Sequence, residues 1–543
     1  MIKHVVGSKI VKKEQVLISI FLIAILVLSS GSMVAFADRS QTLVVKPSGD
    51  TSGATDTPAI QAALNKCTSG DPRCTVQLLS GTYYISSQIT VYGFQGSLVG
   101  AGQGQTNIVA LGNMPSPNPA YNIPCQGYPT CTTTTGTAGG VPFWVGYPGM
   151  GPDGTGSPQG SGTPNPWPAL FTFEGGSIAI SAMTLTDTSP TPTMGYYMPA
   201  IDGSGFYQGL ISAIIITGPP APTVTSATID HVSMVGGAGD WGGYNIGDGV
   251  WIAGRVLPSG WSNPDGDPYP ITGTYSVTNS KFLNVETPAA GDILVNSNLA
   301  ICGNAFSNSV PPTSYAINIE VFDNSNTNVL ICNNQGTMSD ANDVVVFQGL
   351  FRSGLSPFKV TITGNNFQVN DEGSAVAMYD FEPYSGAAPT LSAVVSGNTF
   401  QNSYAEGVDW YASVFYSISL KSTIVSSNNI AGGGSDGIYL NGGPGAIIGN
   451  TITGAANGVL LDVASGVHVA GNVIRNTGVN GIVVMSFNYA GSAITTPSSN
   501  DYVIGNFVHN SGTADLYWDG LGTNNHWCGN IYKTSSPSVL PGC

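Results

Sequence analysis

Apolar and polar positions alternate in short runs along the second half of the chain, and each run ends at a Gly-Asn step or at one of its variants, Asn333-Asn334 and Ser427-Asn428. A typical run is Ile301-Cys302-Gly303-Asn304-Ala305-Phe306. Such alternation predicts a β-strand with one buried face, and the Gly-Asn step predicts a turn that needs a left-handed backbone. The asparagines that mark these steps are Asn304, Asn334, Asn365, Asn398, Asn428, Asn450, Asn472, Asn506 and Asn530.

Successive marker asparagines are 30, 31, 33, 30, 22, 22, 34 and 24 residues apart, a period typical of solenoids. A second turn marker, as in Asp436-Gly437-Ile438-Tyr439-Leu440, starts another alternating strand in each repeat. Two strand-turn units per repeat, with no helical spacing between them, exclude a βαβ fold. The pattern therefore predicts an all-β chain that forms one parallel β-helix of roughly a dozen coils, in which the asparagines stack as a ladder.

The composition agrees with this prediction. The chain contains 72 glycines and only 8% charged residues, which is too apolar for a disordered protein and too poor in charged residues for a helical one. A solenoid lengthens without starting a new core, so we expect one domain over residues 38–543.

The N-terminus has the pattern of a secretory signal peptide. Lys9, Lys12 and Lys13 precede an apolar run from Val16 to Leu28, and Ala35-Phe36-Ala37 follows it. The run is shorter than the ~20 residues that span a bilayer. We therefore expect residues 1–37 to be removed and the mature chain to be secreted, although an uncleaved anchor is the alternative.

Eight cysteines in a secreted chain favour disulfides over a metal site. Cys302 and Cys332 occupy the same position in successive repeats, so a coil would place them side by side. The expected pairs are Cys67–Cys74, Cys125–Cys131, Cys302–Cys332 and Cys528–Cys543. The first and the last of these pairs could equally be free thiols.

The segment before the repeats carries a family resemblance. Its parts are Gly49-Asp50-Thr51, Asp56-Thr57-Pro58-Ala59-Ile60-Gln61-Ala62-Ala63-Leu64, Val76 to Ile85 with Gly81-Thr82-Tyr83, and Leu98-Val99-Gly100-Ala101-Gly102. This segment resembles the opening of the pectate lyase-like superfamily. The resemblance implies a right-handed parallel β-helix, with a short helix from Asp56 to Lys66 that caps the open end of the coil.

The superfamily contains lyases, glycosidases, epimerases, tailspikes and adhesins, so the fold alone does not choose a reaction. The polygalacturonase motifs and the acidic-histidine motif of alginate epimerases are missing. His231 and His468 lie in predicted strands, where a packed or solvated histidine is the simpler interpretation. The resemblance therefore supplies no catalytic residue.

The net charge narrows the class of substrate. Removing residues 1–37 leaves 11 basic and 30 acidic residues, so the charge is 11 − 30 = −19. A strongly acidic surface repels polyanions, which argues against nucleic acid and favours a neutral polysaccharide over an acidic one. A Ca²⁺ ion that bridges carboxylates would still permit a lyase, whereas no Zn²⁺ site is visible because histidines and free cysteines do not cluster.

Alignment of the strands after the second turn marker predicts two outward columns. The first column contains Trp251, Asn318, Val345, Ala377, Asp409 and Tyr439, and the second contains Ala253, Glu320, Phe347, Tyr379, Tyr411, Asn441 and Asp462. We expect Tyr379, Tyr411, Tyr439, Asn441, Trp251 and Glu320 to bind substrate. Asp409 is the expected general base or nucleophile, and Asp380 or Glu382 is the expected proton donor. Glycosidases need two carboxyl groups roughly 5–9.5 Å apart. Neighbouring strands stack about 4.8 Å apart, so acids from adjacent or next-adjacent coils can meet this distance.

Long insertions at residues 112–168 and 236–270 are rich in Pro, Gly and aromatic residues. They are expected to wall a groove, to form protective flaps over a sheet edge, or to form contacts between chains in a trimer. The prediction is a secreted glycoside hydrolase without a cofactor that acts on a polysaccharide as a monomer or homotrimer. Two alternatives stay open, a Ca²⁺-dependent polysaccharide lyase of the same fold and a non-catalytic adhesive solenoid.

Overall fold

The computed structural model describes residues 41–68, 74–111, 169–187, 210–217, 224–236, 246–253, 272–285, 287–292, 294, 296–308, 316–320, 327–338, 343–348, 358–369, 374–379, 391–402, 408–411, 422–432, 434, 436–441, 444–486 and 497–543. Residues 41–543 form one compact unit. In the described residues this unit consists of parallel strands and one helix.

The strands form three parallel sheets, because from β10 to β34 each strand pairs with the strand three places further along the chain. Some long strands bend from one sheet into the next. Sheet A contains β1 (Thr42–Val45), β2 (Cys74–Leu78), β4 (Ile89–Val99), β6 (Ala169–Asp187), β8 (Val224–Val235), β10 (Thr272–Thr278), β13 (Asn298–Cys302), β16 (Asn328–Cys332), β19 (Phe358–Thr363), β22 (Leu391–Ser396), β25 (Ser422–Ser426), β28 (Gly445–Ile448), β31 (Val467–Ala470), β34 (Tyr502–Ile504) and β37 (His526–Cys528).

Sheets B and C complete each coil. Sheet B contains the ends of β6 and β8 with β3 (Gly81–Ile85), β5 (Thr106–Ala110), β11 (Lys281–Leu283), β14 (Ala305–Asn308), β17 (Gln335–Met338), β20 (Asn366–Val369), β23 (Thr399–Asn402), β26 (Asn429–Gly432), β29 (Thr451–Thr453), β32 (Val473–Arg475) and β35 (Phe507–His509). Sheet C contains the starts of β4 and β6 with β7 (Leu210–Thr217), β9 (Ile246–Ala253), β12 (Thr287–Asp292), β15 (Ile317–Glu320), β18 (Asp343–Gln348), β21 (Ser374–Tyr379), β24 (Val408–Tyr411), β27 (Ile438–Asn441), β30 (Asn457–Asp462), β33 (Asn480–Met485), β36 (Ala514–Trp518) and β38 (Ser535–Ser536).

The core lies inside the coil and is made of the inward residues of all three sheets. Stacked phenylalanines occupy one inward column of sheet B, with 5.5 Å between the ring centroids of Phe282 and Phe306 and 6.1 Å between those of Phe367 and Phe400. These side chains are almost fully buried. Parallel coils place identical positions above one another, so each layer buries the apolar face of the next.

The marker asparagines form the predicted ladder at the corner between sheets A and B. The Nδ2 of Asn398 donates to the Oδ1 of Asn428 at 2.9 Å and to the backbone oxygen of Ile362 at 3.0 Å. Its Oδ1 accepts from the Nδ2 and the backbone N–H of Asn365. The same bonds link successive members from Asn304 to Asn530. Each amide thus satisfies buried backbone groups at a corner that has no strand partner for them.

The expected capping helix is α1 (Asp56–Thr68), and it covers the first coils. Ile60 and Leu64 are fully buried against the core. The carboxylate of Asp56 accepts from the backbone N–H groups of Ser48 and Tyr84 at 2.9 and 3.0 Å. The helix therefore covers apolar side chains at the end of the solenoid, while its first residue fixes the chain around it.

Three of the four expected disulfides are confirmed, namely Cys67–Cys74, Cys302–Cys332 and Cys528–Cys543. Cys125 and Cys131 lie outside the described residues, as does the insertion at 112–168. The second expected insertion, 236–270, contains strand β9 at Ile246–Ala253, so it is interrupted by one strand of sheet C. Fifteen described strands contribute to sheet A, slightly more than the dozen coils expected. In the described residues no helix is long and apolar enough to cross a membrane.

Candidate functional site

The long connections of the solenoid begin or end at sheet C. From β10 to β35 the corner between sheets A and B always has two residues between strands, as at 303–304 between β13 and β14. In contrast, β21 ends at Tyr379 and β22 begins at Leu391, so eleven residues separate them, and ten separate β24 from β25. Loops on a rigid scaffold usually carry binding and catalytic groups. Sheet C is therefore the candidate functional face.

The strand register gives two columns of paired residues in sheet C, which correspond to the two predicted columns. The first column runs through Trp251, Ala290, Asn318, Val346, Ala377, Asp409 and Tyr439. The second column runs through Ala253, Asp292, Glu320, Gln348, Tyr379, Tyr411, Asn441 and Asp462. Asp409 thus has Ala377 and Tyr439 as its two lateral neighbours, as the sequence predicted.

Two members of the predicted columns were wrong. Val345 pairs with Ile317 and Val376 and is fully buried on the inner face, while Val346 takes its place in the outward column. Likewise Gln348, and not Phe347, lies beside Glu320. Both errors are a slip of one residue in β18, which exchanges the two faces of a strand.

The expected site residues fall into a central group and two distant members. Asp409, Tyr411, Tyr439 and Asn441 lie on the adjacent strands β24 and β27, and Tyr379 on β21 pairs with Tyr411. Trp251 lies five strands from Asp409, roughly 24 Å along the axis, and is only 6% exposed. Glu320 lies three strands from Tyr411. Asp380 and Glu382, the expected proton donors, follow β21 directly and lie outside the described residues.

A hydrogen-bonded group of three polar side chains occupies the described part of the central group. The hydroxyl of Tyr439 donates to the Oδ2 of Asp462 at 3.0 Å. The Nδ2 of Asn441 donates to the Tyr439 hydroxyl at 3.1 Å and to the same Asp462 oxygen at 3.4 Å. Asn441 and Asp462 are 3% and 4% exposed, and Tyr439 is half-buried. We call Tyr439, Asn441 and Asp462 the carboxylate triad.

The fold brings the carboxylate triad together through strand alternation. Tyr439 and Asn441 are two residues apart on β27, so their side chains lie on one face. Asp462 pairs with Asn441 from the next strand. The sequence placed Asp462 in the outward column but did not identify it as a site residue. Its position beside Asn441 was the available signal, whereas the diagonal contact with Tyr439 depends on the register.

Asp436, an acid of the second turn marker, has a structural role. The Oδ1 of Asp436 accepts from the Nδ2 of Asn457 at 2.7 Å, and the Oδ1 of Asn457 accepts from the Nδ2 of Asn480 at 3.1 Å. The three residues occupy the same turn in successive coils. Asp436 therefore begins a short second ladder, and its replacement by Asn in later coils follows from this geometry.

The described strands of sheet C carry no positive charge. From β7 to β36 these strands contain no Lys, Arg or His, whereas Asp292, Glu320, Asp409 and Asp462 lie in the two columns. No group of three or more metal-binding side chains occurs within the described ranges. The face thus combines acids, amides and phenols without the cations that a uronate carboxylate would need.

A contact between an acid and a histidine lies away from sheet C, at the corner between sheets A and B. The Oδ2 of Asp230 lies 2.7 Å from the Nδ1 of His231, and its Oδ1 accepts from Thr278 and Asn279. Burial raises the pKa of Asp230, but the hydrogen bonds from Asn279, His231 and Thr278 outweigh burial and hold this pKa below its usual value. The contact stabilises a corner and borders no long connection.

Residues 349–525 match a family model described as "Right handed beta helix region". Similar solved structures include the adhesin PfbA of Streptococcus pneumoniae (14% identity, 79% of this chain and 91% of that chain, TM-score 0.45). Another is the catalytic unit of the thermostable GH87 alpha-1,3-glucanase from Streptomyces thermodiastaticus strain HF3-3 (12% identity, 94% of this chain and 74% of that chain, TM-score 0.43). A third is the A-module of mannuronan C-5 epimerase AlgE4 from Azotobacter vinelandii (14% identity, 91% of this chain and 96% of that chain, TM-score 0.35). No curated protein matches the chain. Similarity at this level does not indicate an activity.

Proposed function

We propose that this right-handed parallel β-helix protein is a secreted glycoside hydrolase that cleaves a neutral polysaccharide on the outer face of sheet C. The observation that carries the proposal is the carboxylate triad, which lies next in register to Asp409 and Tyr411 on the face from which the long connections start. Carboxylates, amides and phenols are the groups that bind sugar hydroxyls, and two carboxyl groups are what glycoside hydrolysis needs.

In the proposed reaction Asp409 is the general base or the nucleophile. As a base it takes a proton from water, the water oxygen bonds to the anomeric carbon, and the glycosidic C–O bond breaks. Asp380 or Glu382 donates a proton to the leaving oxygen. Both follow β21 in the sequence, and β21 is hydrogen-bonded to β24, the strand of Asp409; adjacent strands lie about 4.8 Å apart. Tyr379, Tyr411, Tyr439 and Asn441 bind the sugar.

The charge of the face supports a neutral substrate. A β-elimination needs cations to neutralise the uronate carboxylate, and the described strands of sheet C from β7 to β36 supply none. A polyanionic chain would also meet the acids of the second column. Polysaccharide is therefore the proposed partner, with no cofactor, and the Ca²⁺-dependent lyase is kept as an outcome of the test.

The test is a screen of the purified protein against neutral and acidic polysaccharides, with and without chelator. New reducing ends without absorbance of unsaturated uronates are expected, and Asp409→Asn should lower the rate at least about 100-fold. Asp436→Asn is the matched control, since an amide can accept the same hydrogen bond from Asn457. Chelator-sensitive absorbance would establish the lyase instead, and binding without cleavage would establish an adhesive protein.

A further inference from the structure

The outer face of sheet A is almost free of charge over most of its length. The ten strands of sheet A from β10 to β37 contain no Asp or Glu, although the whole chain has 31 acidic residues. Lys359 is the one Lys or Arg among these strands. The other outward positions carry Thr, Ser, Asn, Ala, aliphatic and aromatic side chains. An acidic protein of net charge −16 thus keeps one long face without carboxylates.

The same face exposes apolar side chains in two neighbouring outward columns, with Leu330 and Ile424 in one and Ile448 and Ile504 in the other. Leu330, Ile424, Ile448 and Ile504 lie on four strands of sheet A and are 38%, 39%, 44% and 38% exposed. Long aliphatic side chains on a flat sheet are usually covered by another layer. Exposed apolar surface of this extent marks an interaction site.

Aromatic rings lie on the outer face of sheet A near its C-terminal end, but they do not form a surface on which sugars can stack. The rings of His468, Tyr502 and His526 stack on one another, with 4.7 Å between successive centroids. Because each ring covers the face of the next, the edges of the rings and not their faces point outward. Glycan stacking needs exposed ring faces, so a polysaccharide is the poorer occupant.

We propose that sheet A is the interface at which a second copy of this chain binds. Ten strands from β10 to β37 at about 4.8 Å, each with about 17 Å of strand, give a face of roughly 800 Å², which is what each partner of a stable interface contributes. Two acidic chains repel each other, and this face is where they can meet without opposing carboxylates.

The symmetry of the contact follows from the use of a single face. When the same patch on both copies forms the interface, the contact is isologous and closes as a dimer with two-fold symmetry. The sheets would pack face to face about 10 Å apart, as in a β-sandwich. The long connections start from sheet C, so the candidate functional face stays outside the contact. The dimer replaces the monomer or homotrimer that the sequence left open.

The test is the mass of the full-length secreted protein in solution, by light scattering or sedimentation, with variants on two faces. The wild type is expected to have twice the mass of one chain. Ile424→Glu places a carboxylate in the centre of the face, and Thr361→Arg places a cation beside Lys359, so both should halve the mass. Gln401→Glu on β23 of sheet B is the matched control and should leave a dimer.

Circular dichroism confirms that each variant is folded before its mass is compared. A monomeric wild type at the highest soluble concentration would overturn the proposal, and so would a dimer that persists in both sheet A variants. A monomeric wild type that sediments with an insoluble polysaccharide only while Ile424 is intact would assign the face to a glycan instead. These outcomes do not depend on hydrolytic activity, so the dimer and the proposed function fail separately.

Discussion

The hydroxyl of Tyr439 donates a hydrogen bond to the Oδ2 of Asp462 across two neighbouring strands of sheet C, with 3.0 Å between the oxygens. Asn441 donates to both of these oxygens. The three side chains therefore hold one another in fixed orientations on the face that we propose binds the polysaccharide. A substrate hydroxyl would meet a preformed set of donors and acceptors.

Removal of the phenol hydroxyl should therefore reduce activity more than stability. We expect Tyr439→Phe to lower kcat/KM about 10-fold, because one hydrogen bond to a charged group contributes roughly 1.5–3 kcal/mol. Initial rates on the polysaccharide found in the screen measure the effect. Tyr517→Phe, three strands further along the same sheet, is the control. Equal rates for the two variants would show that the carboxylate triad is not part of the substrate-binding site.

The asparagine ladder should be the main polar determinant of stability. Asn398→Ala removes an amide that is 1% exposed and leaves the backbone groups of Asn365 and Ile362 without their partner. We expect the free energy of unfolding to fall by roughly 3 kcal/mol. Asn328→Ala is the matched control, because its exposed amide donates to the Oδ1 of the exposed Asn298 side chain. Urea unfolding followed by circular dichroism measures both, and similar midpoints would contradict the prediction.

Stability near the C-terminus should depend on pH through Asp501. Burial raises the pKa of Asp501 from 3.8 to about 7, against the lowering effect of the backbone N–H groups of Val467 and Gly466. Folding therefore takes up a proton between these two values. Protonation of this carboxyl group contributes fully to the free energy of unfolding below pH 4. This contribution decreases as the pH rises from 4 to 7, and above pH 7 it no longer changes. Asp501→Asn should accordingly stabilise the protein at pH 8, by up to roughly 4 kcal/mol, and have little effect at pH 4.

The check is the urea midpoint of the wild type and Asp501→Asn at pH 4, 6 and 8. Asp50 provides a control of opposite sign. Hydrogen bonds from the Ser52 side chain and backbone and from Thr55 lower the pKa of Asp50 to about 2. Asp50→Asn should therefore destabilise the protein near neutral pH. A difference between wild type and Asp501→Asn that is the same at all three values would show that Asp501 does not titrate in this range.

The disulfide between adjacent coils should contribute through the unfolded chain. Cys302 and Cys332 pair in register with 4.5 Å between their Cα atoms, and they close a loop of 30 residues. We expect Cys302→Ser combined with Cys332→Ser to lower the free energy of unfolding by roughly 2–4 kcal/mol. Thermal unfolding with and without reductant measures this. The double variant should lose less melting temperature on reduction than the wild type, because it lacks this bond. If the double variant and the wild type had the same melting temperature without reductant, the bond would not contribute to stability.

The repeats were predictable from the sequence because their signals are local. Gly303 and Asn304 define a corner by themselves: Gly303 has φ of +71°, and the amide of Asn304 meets its counterpart one coil later. The same pattern recurs down to Asn530. A fold built from one repeated unit needs no knowledge of distant contacts.

The candidate site was less predictable because it depends on register. The one-residue slip at Val345 arose because alternation alone does not fix which face of β18 points inward. The bond between Tyr439 and Asp462 joins positions offset by two residues on different strands. No single-strand pattern contains that offset, so a sequence reading finds the two residues but not their contact.

The two-residue corner between sheets A and B affects how the sequence of such a chain can evolve. Each corner fixes the alignment of a coil through one amide, independently of what leaves sheet C. Insertions and deletions after strands such as β21 can therefore accumulate without shifting any neighbouring strand. New recognition loops can be grafted there while the scaffold keeps its alignment, so specificity and architecture evolve on separate parts of the same repeat.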